Sequence, residues 1–119
     1  MPARMVRVLN ASKGMCVGDR IEIADTSLSR FVGLLGRRSL LPGQGLLILP
    51  SNGVHTLGMR FAIDVVFLDD ARRVLRVREN LRPFRITSLD WRAESVLELP
   101  VSTIRAARLE VGDQLVIHD

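Results

Sequence analysis

Apolar and polar residues alternate at period two in short stretches spread along this chain. Val6 and Val8 open the pattern and Arg20–Ala24 repeats it, while Phe61–Leu68 is apolar apart from Asp64. That spacing predicts strands with at least one face on a core. Two short apolar runs, Leu46–Leu49 and Ser95–Leu99, are closed by Pro50 and Pro100. Val74–Arg78 reads as the return strand of a hairpin turning at Asp69–Arg72, and Gln114–His118 as a last strand. Turn residues separate them at Asn10–Gly14, Val17–Asp19, Pro42–Gly45, Ser51–Gly53 and Val111–Asp113. One segment breaks the rhythm. Leu28, Phe31, Val32 and Leu35 fall at i, i+3, i+4 and i+7, which predicts a short amphipathic helix over about 26–35 with its apolar side on the core. Thr26 supplies N-cap chemistry and Gly36 a stop. Ser102–Ala107 predicts a second helical turn. The fold class is therefore mainly β, a compact sandwich or barrel of about seven short strands in one domain, 1–119.

Composition narrows this further. Only 4% of the 119 residues are aromatic, so aliphatic side chains must fill the core. A 25% charged fraction excludes a disordered acidic or basic tail protein. The net charge of +4 lies within the range that merely keeps a small domain soluble. No apolar run approaches the roughly 18 residues of a membrane span, so no membrane partner is expected. No signal-like apolar stretch follows the first arginines, which makes the cytoplasm the expected location. Cys16 is the single cysteine, which leaves no internal disulfide and predicts a packed or half-exposed thiol.

Asp64 is the first candidate for chemistry. In a strand from Phe61 to Leu68, Ile63, Val65 and Phe67 share one face with Phe61, while Asp64 shares the other with Ala62, Val66 and Leu68. A carboxylate in such a place must be hydrogen-bonded or paired. It can pin the Ser51–Gly58 loop over the sheet by accepting backbone N–H bonds, or it can anchor a ligand. His55, Thr56, Met59 and Arg60 precede it in a loop that could converge on it, and Arg82 follows in the Leu81–Trp91 connection. His55 with Asp64 would be the minimum for acid–base work. With two His and one Cys, a closed zinc site cannot be assembled, so no metal and no cofactor is expected. Glu98 reads as outward-facing on its strand or paired with an arginine.

Sixteen of the 17 basic residues are arginines, and seven of them fall within Arg72–Arg92. Arg76 and Arg78 share a strand face at period two. Arg73, Arg76, Arg78 and Arg85, with Phe84 and Trp91 nearby, form the candidate nucleic-acid surface. A solvated sheet face explains the same stripe without a partner.

The landmarks Arg30-Phe-Val-Gly33, Gly45-Leu-Leu, His55-Thr-Leu-Gly58-Met59, Ile63-Asp64-Val-Val-Phe67-Leu-Asp69, Val96-Leu-Glu98-Leu and Gly112-Asp113 resemble, in order and spacing, the domain of unknown function family numbered 192. The resemblance runs from about Ile21 to Ile117. It implies a compact, mainly β fold with a short helix and no assigned enzyme activity. Many relatives open the helix with Thr-x-x-Glu. Here Ser29 stands at the Glu position, and the reciprocal bond of a capping box is expected to be lost.

Three functions follow from these residues. The first is a small β-rich binding or accessory domain with a ligand cleft around His55–Asp64, its ligand small and, given the arginines, anionic. The second is an uncharacterised enzyme using His55 and Asp64. The third is a nucleic-acid-binding domain using the arginine stripe. Oligomeric state is left open by the sequence.

Overall fold

The structure, a computed structural model, describes residues 4–119. Seven strands form a single curled sheet: β1 Met5–Asn10, β2 Met15–Ala24, β3 Gln44–Ile48, β4 Ile63–Leu68, β5 Val74–Leu81, β6 Ser95–Pro100 and β7 Leu115–His118. Two short helices accompany them, α1 Ser27–Val32 and α2 Thr103–Ala106. The spatial order is β5-β4-β6-β3-β2-β1-β7. The outermost strands meet only at their starts, where Arg73 bridges Gln114 and Leu115 N donates to Arg72 O at 3.0 Å. The sheet is thus a half-barrel with an open seam.

The curl divides the side chains into two cores. The inner cluster draws on all seven strands, with Val8, Ile21, Leu47, Val66, Leu97 and Leu115 among its members, and α2 adds Ile104. Only a curled sheet brings side chains of its outer and central strands together in this way. The outer cluster rests on β3, β4 and β6 through Leu46, Ile48, Ile63, Val65, Phe67 and Val96. It is covered by Leu34, Leu40 and Met59 from the connections. The aliphatic core expected from the composition is present, with Phe67 as its buried aromatic.

β2 and β3 are parallel, so the chain between them must cross over the sheet. That crossover carries α1 onto the outer face. At β3, Gly45 is required by close packing. A Cβ there would lie 2.8 Å from the Glu98 carbonyl oxygen and 2.8 Å from the Ile21 side chain.

Four expectations are corrected. Val17–Asp19 is not a turn; it lies within β2, where the β1–β2 register shifts. The chain bulges there rather than reversing. The helix ends at Val32, because Gly33 takes φ 50° and ψ −125°, a conformation L side chains avoid. The predicted apolar stripe is also not its buried side. Leu28 and Phe31 are 73% and 76% exposed, and the turn at Gly33 buries Leu34 instead. The capping box is present after all. Ser29 N donates to Thr26 Oγ1 and Thr26 N donates to Ser29 Oγ, each at 3.0 Å, so a serine hydroxyl does what the expected Glu would do.

Candidate functional site

Asp64 is fully buried on the inner face of β4. It accepts Asn80 N at 2.9 Å and Ile104 N at 3.0 Å. Asn80 sits at φ 54° in a β5 bulge, where three residues of β5 span two of β4. Ile104 lies in the first turn of α2, whose Ser102 makes no side-chain cap. A bulge and a helix start each leave backbone donors without partners, and one carboxylate serves both. Asp64 therefore accepts backbone N–H groups, but from β5 and α2 and not from the Ser51–Gly58 loop.

That loop is held by Thr56 and Thr87. Thr56 is fully buried. Its backbone N donates to Arg85 O at 2.8 Å, and its hydroxyl oxygen accepts Arg85 N at 2.9 Å. Val54 N donates to Thr87 Oγ1 at 3.0 Å. These bonds stitch residues 52–58 to residues 82–90 as a strap over the outer face. His55 bridges Ile86 in the strap and is exposed. The cleft expected around His55–Asp64 is thus divided by the sheet. His55 and Asp64 lie on opposite faces, so the pair can neither exchange a proton nor share a metal. Arg60 and Arg82 are exposed, and Thr56 is spent on the strap.

The structure brings His55 and Met59 together with residues of α1 and with an acid that the sequence reading turned outward. A cavity of about 170 Å³ opens between α1 and the strap. Arg30, Phe31, Val32 and His55 stand at its mouth, and Leu34, Ile48, Met59 and Glu98 lie deeper. Glu98 is 3% exposed. On β6 it pairs laterally with Leu46 of β3 and Val65 of β4, so its flanks are apolar. Among the described residues no side chain or backbone N–H hydrogen-bonds its carboxyl group. Burial pushes the Glu98 carboxyl up to about 7, with the positive charge of Arg37 pulling the other way. Arg37 is itself tied to Glu22 by an ion pair.

The arginine stripe is partly engaged. Arg76 lies 4.6 Å from the Phe67 ring centroid and donates to Ser88 Oγ at 3.1 Å, a cation–π contact on the sheet. Arg92 pairs with Asp90 at 2.8 Å and holds its carboxyl down at about 2. Arg73, Arg78 and Arg85 are exposed, as are Phe84 and Trp91. Lys13 donates to Asp113 at 2.9 Å in a separate cluster that closes the α2–β7 turn.

The profile of the DUF192 family, described as "Uncharacterized ACR", matches residues 8–117. The chain belongs to the DUF192 family. Curated relatives carry the name UPF0127 protein. One from Pyrococcus abyssi is 35% identical over 114 residues, which cover 91% of this chain and 94% of that protein. One from Thermococcus sibiricus is 34% identical over 116 residues, covering 91% and 72%. Two solved structures share the fold with TM-scores of 0.80. A protein of unknown function from Novosphingobium aromaticivorans is 22% identical, with 96% of this chain and 84% of that one covered. A Sinorhizobium meliloti protein described as a candidate transcription regulator is 25% identical, with 98% and 96% covered. The DUF192 landmarks now have places. Arg30–Gly33, His55 and Met59 line the cavity mouth and wall, and Glu98 forms its floor. Asp64 and Asp113 serve backbone and turn. Among the described residues no helix is long and apolar enough to cross a membrane.

Proposed function

We propose that this DUF192 chain is a small-ligand-binding domain whose site is the cavity between α1 and the strap. One observation carries the reading: a buried carboxyl group that no described residue hydrogen-bonds, Glu98, faces an open cavity walled by Leu34, Ile48, Val54 and Met59, with Arg30, Ser51 and His55 also lining it. Apolar walls with few convergent polar groups are the usual make-up of a small-molecule site. Of the residues singled out by sequence, His55 and Met59 belong to this site; Thr56, Arg60, Asp64 and Arg82 have no part in it. Among the described residues no second group stands beside Glu98 to make a nucleophile–base pair, so binding is favoured over catalysis. The cytoplasm is its expected setting. The arginine stripe supports a nucleic-acid role less well, because Arg76 is turned onto Phe67 and Arg92 onto Asp90.

The test is methyl NMR of the full chain during a screen of compounds of up to about seven non-hydrogen atoms, a size set by the cavity. Ligands that shift the Met59 and Val54 methyls should lose that effect in Val32→Trp, which blocks the mouth from an exposed position. If no compound moves Met59, or if Val32→Trp binds as before, the cavity is not the site.

A further inference from the structure

We propose that the cavity takes a compact organic cation, an ammonium group on an apolar body, with the Glu98 carboxylate as its counter-ion and Met59, Leu34 and Ile48 around its apolar part. This rests on the cavity being the binding site and adds the charge and size of what fills it.

The sign comes from where the charges stand. Glu98 is the buried ionisable group of the cavity, and it projects from the centre of the sheet between Leu46 and Val65. Arg30 and His55 stand at the mouth, where solvent reaches them. Arg37 is drawn off to Glu22. An anionic ligand, which the abundance of arginine suggested, would meet a carboxylate at the floor and its cations only at the rim. A cation meets the reverse arrangement. Its charge reaches an acceptor that nothing else occupies, in surroundings where the attraction is weakly screened. Met59 and Phe31 add a polarizable wall and an aromatic rim.

The size comes from the volume. A cavity of about 150 Å³ lined by aliphatic side chains holds benzene, so about 170 Å³ holds a ligand of about six non-hydrogen atoms. Pentylamine is therefore the probe, with 1-pentanol as its neutral and pentanoate as its anionic counterpart.

Affinities of the three are measured by methyl NMR titration on the full chain at pH 8 and pH 5. Pentylamine should bind at least tenfold more tightly than pentanol at pH 8, and pentanoate should not bind. Glu98→Gln should lose that tenfold preference. With the Glu98 carboxyl near 7, lowering the pH to 5 protonates it, and amine binding should weaken at least tenfold. The groups facing it are Arg30, Arg37 with Glu22, and His55; β3 and β4 present Leu46 and Val65. A His55→Asn background removes the imidazole at the mouth as a control. Equal binding of amine and alcohol, an unchanged Glu98→Gln, or tighter pentanoate binding each overturns the inference while leaving the cavity as the site. If none of the three probes moves the Met59 methyl, the inference and the binding site fall together.

Discussion

Asp64 and Glu98 are buried acids on adjacent central strands, one residue apart in register, with Asp64 opposite Leu99 and Val65 opposite Glu98. Their side chains leave the sheet on opposite faces. On the inner face Asp64 meets two backbone donors that lack other partners, so its charge is absorbed into the fold. On the outer face Glu98 meets aliphatic walls and an opening. Burial alone therefore does not mark a functional acid. What separates the two is whether the groups that must be satisfied belong to the chain itself.

Removing Asp64 should show the largest effect. Asp64→Ala leaves Asn80 N and Ile104 N without acceptors, and each lost partner costs about 1–3 kcal/mol. A loss of about 2–4 kcal/mol in urea denaturation is expected, with Asp64→Asn costing less because its amide oxygen keeps one bond. A loss below about 1 kcal/mol would remove the contrast with Glu98.

Glu98→Gln should act in the opposite direction. The folded state holds the Glu98 proton up to about 7, against 4.5 for an ordinary Glu. Its contribution is thus most favourable below pH 4.5 and is lost as pH rises toward 7. The total is about 3 kcal/mol. At pH 8 Glu98→Gln should be more stable than the natural chain by an amount of that order, and the difference should vanish near pH 4. A pH-independent difference would mean that Glu98 is already satisfied.

Gly33→Ala tests how the outer face is covered. At φ 50° an alanine is strained by about 1–2 kcal/mol. It should lower stability and disturb Leu34 and the cavity together, which thermal melts and the Met59 methyl signal would report. The smallest effect belongs to the rim. Phe31 is 76% exposed, so Phe31→Ser should change stability by less than about 0.5 kcal/mol. A larger loss would make Phe31 part of the core after all.

The strands were legible because period two is local, and Phe61–Leu68 even separated the two cores correctly by alternate residues. The reading failed where a distant segment decides. Leu28, Phe31 and Val32 have perfect helical spacing but stay exposed, Phe31 and Val32 at the cavity mouth, since the turn at Gly33 sends Leu34 inward. Glu98 looked outward-facing because a polar residue in a strand usually is. Its strand is central, however, and segments without periodicity cover its outer face. The available signal was the one that drew attention to Asp64: a single acid in an otherwise apolar strand, here Val96–Leu99. The division of the His55–Asp64 segment by the sheet followed from the same alternation, since Asp64 stands opposite to Ile63 and Val65, the residues that share the outer core with Met59.

The open seam leaves two strand edges bare, and bare edges recruit other chains. β7 offers only Leu115–His118. β5 is longer, but its register shifts between Val74 and Arg76 and again between Arg78 and Leu81. The straight stretch between these breaks is only Arg76–Arg78, with an arginine at each end. A foreign strand could therefore zip along either edge for only about four residues, too few to seed a growing stack. The same bulge that needs Asp64 as its acceptor also makes this half-closed barrel a poor template for fibres.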